Sequence, residues 1–266
     1  MSASKFVTPP VVLTIGGFDP SGGAGVIADV RAIVQFGCRP AAAITSLTFQ
    51  NTNDFFGATH ETAESLRAQI VPILEETAPA AVKVGMLPTA TLVLEVANLI
   101  RDHGLPAPVV DPVLKSSSGG ELMEPEAIPV LLRELLPLVS LLTPNIPEAE
   151  VITGMAIESE ADMRAAAVKF SEMGAHAVLI KGGHLRQSLE AGTHKANDLL
   201  YNEGNVTVFK GEWIDTPSVR GTGCLISSAI AAGLAQGATL EEAVHRAKEY
   251  VAEVIRAQLT HTATRV

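Results

Sequence analysis

Residues 81–111, AVKVGMLPTATLVLEVANLIRDHGLPAPVVD, decide the fold, because they read as strand, helix, strand. Ala81–Gly85 and Pro108–Asp111 read as largely apolar runs, the pattern of strands covered on both faces of a sheet. Thr89–Arg101 between them is a helical crossover, so the strands it joins are parallel.

The same unit repeats in both directions. Upstream, Val11–Gly16 is a short strand closed by glycines, Gly16–Gly25 is a glycine turn, and Val26, Val30, Ile33 and Val34 give a helix. Ala41–Leu47 is a second strand, residues 51–60 form a loop or a short hairpin over the sheet, and Glu61–Thr77 is a helix ended by Pro79. Downstream come helix Glu124–Leu136, strand Val139–Thr143, and a helix start bracketed by Asn145 and Glu148. A capping box of Ser159 with Asp162 opens a helix to Met173, and strand His176–Lys181 follows. Asp198–Tyr201 and Val206–Phe209 flank Asn202–Asn205, a four-residue loop that makes them an antiparallel pair at a sheet edge. Arg220–Gly237, RGTGCLISSAIAAGLAQG, is a helix led by glycines, and a capping box of Thr239 with Glu242 begins the final helix. No repeat or linker interrupts the alternation. The expectation is a single domain over residues 1–266, a three-layer α/β/α sandwich with a largely parallel sheet and an antiparallel edge hairpin.

Composition narrows the partners. The 266 residues are 47% hydrophobic, enough for a sizeable core, and carry a net charge of −10. That charge and a pI near 5.2 argue against a broad nucleic-acid or anionic-membrane surface. The most apolar region, Ile128–Leu142, is broken by Arg133, Glu134 and two prolines, so it is no membrane helix. The N-terminus matches neither a signal peptide nor an anchor, and Cys38 and Cys224 lack the spacing of a disulfide framework or a zinc site. A cytoplasmic protein is expected.

Ligands of such a sheet bind beyond the carboxyl ends of its strands. Asp111, Thr143-Pro144-Asn145, Lys181-Gly182-Gly183 and the Gly16–Gly25 turn all stand at such ends. The open N–H groups and dipole of the helix after Gly221 attract phosphate, and Gly221 and Gly223 let a ligand approach the backbone. Cys224 sits on that first turn, where the same field favours a thiolate, though it also reads as a small core residue. Lys181 suits phosphate oxygens; Asp111, Asn145 and Glu148 suit Mg²⁺, or in the last two cases ordinary helix capping. These are the parts of phosphoryl transfer. No GxxxxGK[ST] occurs. Gly23–Ala28 fits GxGxxA, which keeps a nicotinamide-dependent oxidoreductase as a rival, but Thr45–Asn51 lacks the expected ribose-binding acid.

Seven ordered motifs, LTIGGFDPSGGAGVIAD, ITSLTFQNT, VGMLPTA, VVDPV, LLTPNIPEAEVITG, VLIKGGH and GTGC, make the chain resemble the hydroxymethylpyrimidine/phosphomethylpyrimidine kinases of the ribokinase-like superfamily. The resemblance implies ATP and Mg²⁺, a small-molecule substrate (hydroxymethylpyrimidine or its phosphate), a role in thiamine biosynthesis and a homodimer. It implies an anion hole from Gly221, Thr222, Gly223 and Cys224, with Cys224 where the sugar kinases carry an aspartate base. Asp111 and Glu148 would handle magnesium, with Asn145 beside them and Lys181 on the nucleotide phosphates. Gly17, Asp29, Gln50, Met86 and Val113 match the substrate positions, and the Gln50 amide complements a ring nitrogen beside an amino group. The Phe55-Phe56 stretch would close over the site or lie in a dimer contact. Arg220 and Leu225 replace the family's histidine and threonine, and Lys115 sits earlier than the family lysine. Arg220 would compensate as a phosphate ligand. A pyridoxal kinase of the same family is the nearest alternative.

Overall fold

The computed structural model describes residues 8–116, 119–183, 196–211 and 221–263, with side chains through 258. Among them, nine strands form one sheet: β1 (Val11–Phe18), β2 (Arg39–Gln50), β3 (Phe55–His60), β4 (Ala81–Val84), β5 (Val109–Val110), β6 (Leu141–Leu142), β7 (Ala177–Ile180), β8 (Asp198–Asn202) and β9 (Asn205–Phe209). The spatial order is β3-β2-β1-β4-β5-β6-β7-β8-β9. The six strands β2-β1-β4-β5-β6-β7 run parallel, while β3 at one edge and β8-β9 at the other are antiparallel. The described helices are α1 (Gly25–Gln35), α2 (Ala63–Glu76), α3 (Ala90–His103), α4 (Ala127–Val130), α5 (Ile146–Thr153), α6 (Glu160–Glu172), α7 (Thr222–Ala235) and α8 (Leu240–Ala263).

Alternate residues of each strand feed two helix layers. Leu13, Ile15, Val82, Val84, Val110 and Ile180 pack with Leu66 and Ile70 of α2, Val96 of α3, Ala149 of α5 and Phe170 of α6. Val12, Ala81, Val109, Leu141 and Leu179 pack instead with Ile33 of α1, Ile226 and Ile230 of α7 and Val244 of α8. Burial on both faces is why these strands show no polar alternation. Lys83, between Val82 and Val84, falls on the α1/α7 side and is an exception considered below.

Because β1 lies between β2 and β4, the chain leaves it first to one side and then to the other. The crevice beyond the carboxyl ends of β1 and β4 is therefore a topological switch point, where such sheets bind ligands.

Three segments depart from the sequence expectations. The loop at Asn202–Asn205 closes to two residues, with Asn202 and Asn205 paired and Glu203 (φ 49) and Gly204 (φ 84) in the left-handed region of a type I′ turn. The helix expected over Glu124–Leu136 is α-helical only at Ala127–Val130, then widens into a π turn to Leu135 and tightens into a 3₁₀ turn to Leu138. Pro137 has no N–H to return to the preceding turn and its ring crowds the carbonyl there, so regular winding stops. The second strand runs past the expected Leu47 to Gln50, while the short hairpin that was one reading of residues 51–60 is formed by β3 folding back on β2. The expected capping boxes of Ser159 with Asp162 and Thr239 with Glu242 are formed, and Asn145 and Glu148, expected to bracket a helix start, form a third. Among the described residues no helix is long and apolar enough to cross a membrane.

Candidate active site

The carboxyl ends of the parallel strands and the N-terminus of α7 enclose a cleft of roughly 1650 Å³. Gly17, Asp29, Gln50, Met86, Asp111, Val113, Asn145, Glu148, Lys181 and Gly221 to Cys224 all line it. Arg220 lies outside the described residues. Leu225 does not line the cleft; it packs with Ala28 and Ala32 between α1 and α7.

Two glycine segments meet at the rim. Asp19, buried at the end of β1, accepts hydrogen bonds from the Ser21 N–H (2.9 Å), the Ser21 hydroxyl (2.7 Å) and the Ala24 N–H (3.0 Å), which fixes the turn into α1. Gly221 caps α7 at φ 75, and a side chain there would strike the Gly23 carbonyl. The turn after β1 and the start of α7 are thus packed backbone to backbone, and the first-turn N–H groups of α7 open into the cleft.

Opposite that open end stands an ion pair. Lys181, just after β7, donates to Asp111 Oδ1 at 2.7 Å, and Thr143 Oγ1 approaches the same oxygen at 3.3 Å. A Cβ on Gly223 would lie 3.1 Å from Lys181 Nζ and 3.3 Å from Asp111 Oδ2, so a side chain there would have to push the ion pair aside by a few tenths of an ångström. Burial opposes the Lys181 charge, but Asp111 and Glu148 more than offset it and its pKa is raised.

Glu148 joins the same cluster. Its Oε2 accepts the Asn145 N–H at 2.8 Å, and Asn145 Oδ1 accepts the Glu148 N–H at 2.8 Å. Burial raises the Glu148 pKa, Lys181 opposes the rise and Asp111 adds to it. Two carboxylates converging beside a helix end with open N–H groups fit Mg²⁺, which takes one or two carboxylates and shares the rest of its shell with water and phosphate. Among the described residues no group of three or more His, Cys, Asp or Glu gathers into a metal cage. The donor set fits a magnesium shared with phosphate.

Cys224 differs from the thiolate that its helix position suggested. Burial pushes its thiol up to about 11, Asp29 and Asp111 add to the rise, and Lys83 and the Gly25 N–H only partly offset it. Desolvation outweighs the helix field, so the resting side chain is a neutral thiol.

Around the switch point, Met86 is buried against Gly17, where a Cβ would meet its sulfur at 2.8 Å. Gln50 Nε2 donates to Thr48 Oγ1 (2.9 Å), which donates to the Phe18 carbonyl (2.9 Å). Phe55 packs over Gly120, while Phe56 is 69% exposed.

The family model described as phosphomethylpyrimidine kinase matches residues 19–265. The chain belongs to that family. It is therefore a kinase, a phosphotransferase, and the oxidoreductase alternative falls. A hydroxymethylpyrimidine/phosphomethylpyrimidine kinase of Rhizobium meliloti is 40% identical over 248 residues, 93% of this chain and 91% of the relative. The crystal structure of a phosphomethylpyrimidine kinase from Clostridium difficile 630 superposes with a TM-score of 0.80 at 36% identity, covering 92% of this chain and 99% of that one. A pyridoxal kinase from Staphylococcus aureus, in complex with AMP-PCP and pyridoxal, gives a TM-score of 0.84 at 28% identity over 94% of this chain and 88% of that one. The kinase has the ribokinase-like fold of these neighbours, and the ATP-analogue complex supports ATP as its phosphoryl donor.

Lys83, which lines the cleft, escaped the sequence expectations, as did the buried Thr14 and Ser228 around its partner Asp29. Lys83 donates to both Asp29 oxygens at 2.9 Å, and Asp29 also accepts from Thr14 Oγ1 (2.7 Å) and Ser228 Oγ (2.8 Å). Asp29, expected to bind substrate, is fully buried with its lone pairs taken by protein donors. The signal for this cluster was a lysine inside the apolar run AVKV, since a buried lysine requires a partner.

Proposed function

We propose that this kinase transfers the γ-phosphoryl group of ATP to the hydroxymethyl of 4-amino-5-hydroxymethyl-2-methylpyrimidine, and then phosphorylates the monophosphate, within a single domain over residues 1–266. The observation that carries the reading is the Lys181–Asp111 pair set against the first turn of α7, beside Cys224. Fixed cation, carboxylates and open N–H groups are the elements by which proteins position and neutralise a transferring phosphoryl group. The pyrimidine lies between Met86 and Val113 over Gly17, with Gln50 on its ring-nitrogen and amino edge. Lys181 and the α7 N–H groups hold the phosphates, and Cys224 accepts the hydroxymethyl proton. Asp29 acts from beneath, by ordering the pocket floor. Asp111 and Glu148, with Asn145 beside them, hold Mg²⁺, which supplies charge neutralisation on the phosphates. Arg220 would add a ligand to a second phosphate.

A homodimer is proposed on the exposed Leu47, Phe49 and Phe56 of the β2–β3 edge, and a reducing cytoplasm suits the two free cysteines. Steady-state assays with MgATP and each acceptor separately test the substrate assignment. The pyrimidine is expected to have the higher kcat/KM, and a clear preference for pyridoxal would overturn the assignment.

Magnesium binding should release protons at neutral pH. Burial raises the Glu148 pKa, so part of the population is protonated, and a bound cation favours the carboxylate. Titration calorimetry in two buffers of different ionisation enthalpy checks this. Apparent enthalpies that depend on the buffer are expected, and Glu148→Gln should remove the dependence.

A further inference from the structure

Beneath the cleft lies a buried charge pair that phosphate binding does not use. Lys83 is 1% exposed and Asp29 0%. Their side chains tie together four elements. Thr14 of β1 and Lys83 of β4 are register partners in the sheet, Asp29 belongs to α1 and Ser228 to α7. A Cβ on Gly85 would come within 2.7 Å of Lys83 Nζ, so the ammonium lies under the carboxyl end of β4, at the switch point.

Two helix turns face each other across this pair. Gly25 and Asp29 stand four residues apart on α1, as Cys224 and Ser228 do on α7, and residues at that spacing share a helix face. The lower pair is joined by the Ser228-to-Asp29 hydrogen bond, and at the upper pair the Gly25 N–H acts electrostatically on the Cys224 sulfur. Cys224 therefore sits one helical turn from the Lys83–Asp29 pair, facing the same way.

Stability alone accounts poorly for such a pair. Replacing a buried ion pair with apolar groups of similar volume is often neutral or stabilising, because desolvation consumes much of the Coulombic gain. A pair kept at the floor of a reaction cleft has a use there.

We propose that Lys83 is a positioning residue for phosphoryl transfer. Held by Asp29, its ammonium is the fixed positive charge on the protein side of Cys224, and it favours loss of the thiol proton to solvent, giving the thiolate that then takes the hydroxymethyl proton as the hydroxymethyl oxygen bonds to phosphorus. Through Asp29 and Ser228 it also locks the turn of α7 that carries Cys224. The charged groups that act on Cys224 are Lys83, Asp29 and Asp111, and Lys83 has the largest effect of the three, favouring the anion. Asp29, saturated by Lys83, Thr14 and Ser228, is the anchor that keeps the cation in place. This inference rests on the proposed role of Cys224 as proton acceptor.

The test uses Lys83→Met in the full chain, and the double variant Lys83→Met/Asp29→Asn. The double variant removes both buried charges while its amide keeps an acceptor oxygen for one of the Thr14 and Ser228 hydroxyls and offers an NH₂ donor to the oxygen of the other, so it serves if the single variant does not fold. Tm, kcat, the KM for ATP and for the pyrimidine, and the rate of Cys224 alkylation by iodoacetamide, followed by peptide mass spectrometry, are measured. The expected result is a folded variant with kcat at least tenfold lower, both KM values nearly unchanged, and Cys224 alkylation slowed by a similar factor. A folded variant with the parental kcat, or with the parental alkylation rate, would overturn the proposal. The unmodified chain assayed alongside separates the two levels: if it does not phosphorylate the pyrimidine, the functional reading fails, whereas alkylation reports on Lys83 without any substrate.

Discussion

Cys224→Ala is expected to lower kcat by about 10²- to 10⁴-fold, the usual contribution of a positioned proton acceptor, with ATP affinity unchanged. The first-turn N–H groups of α7 belong to the backbone and survive the substitution, so phosphate binding persists without the acceptor. The pH profile gives the same role a sign. Burial holds the thiol at about 11, and the thiolate is the form that accepts a proton, so kcat/KM rises with pH through neutrality and keeps rising into the alkaline range. Cys224→Asp places a group of much lower intrinsic pKa at the same point, so the limb moves to lower pH. If Cys224→Ala keeps most of its turnover, the residue serves the anion hole only through its backbone.

Asp111→Asn is the second large effect expected, with kcat reduced about 10²- to 10³-fold, in the range seen when one preorganised electrostatic contact is lost. The amide is a poor magnesium ligand and leaves Lys181 without its nearest counter-charge. Stability should fall as well, by about 3 kcal/mol, the low end for breaking a buried pair because Glu148 still acts on Lys181. Kinetics across a magnesium titration and urea unfolding measure the two losses separately. A loss of stability with parental kcat at saturating magnesium would remove Asp111 from the site.

Much of the layer structure was legible because it follows from periodicity and caps. Apolar strands without alternation imply two covered faces, and Leu13 and Val12 do pack into opposite layers. Asn145 with Glu148 was legible as a pair at a helix start, for ordinary capping or for metal; a capping box is formed, and the carboxylate it holds sits within reach of Lys181 electrostatically. Those two roles are compatible, because capping fixes the side chain that faces the cleft.

What escaped depends on long-range burial. Whether Cys224 is a thiolate turns on how far α1 and the sheet desolvate it, a quantity no local pattern carries. Lys83 was hidden by the apolar residues on either side of it, since its partner Asp29 is 54 positions away in sequence. The irregular winding after Val130 had a local cause in Pro137, which spacing alone outweighed. Leu225, a departure from the family expected near a second phosphate, fills the contact between α1 and α7 instead.

Phosphorus NMR of the purified protein with MgATP and 4-amino-5-hydroxymethyl-2-methylpyrimidine tests the central claim most directly. The account predicts ADP together with a pyrimidine monophosphate ester, followed by the diphosphate. Consumption of ATP only with pyridoxal, and no pyrimidine ester, would contradict it.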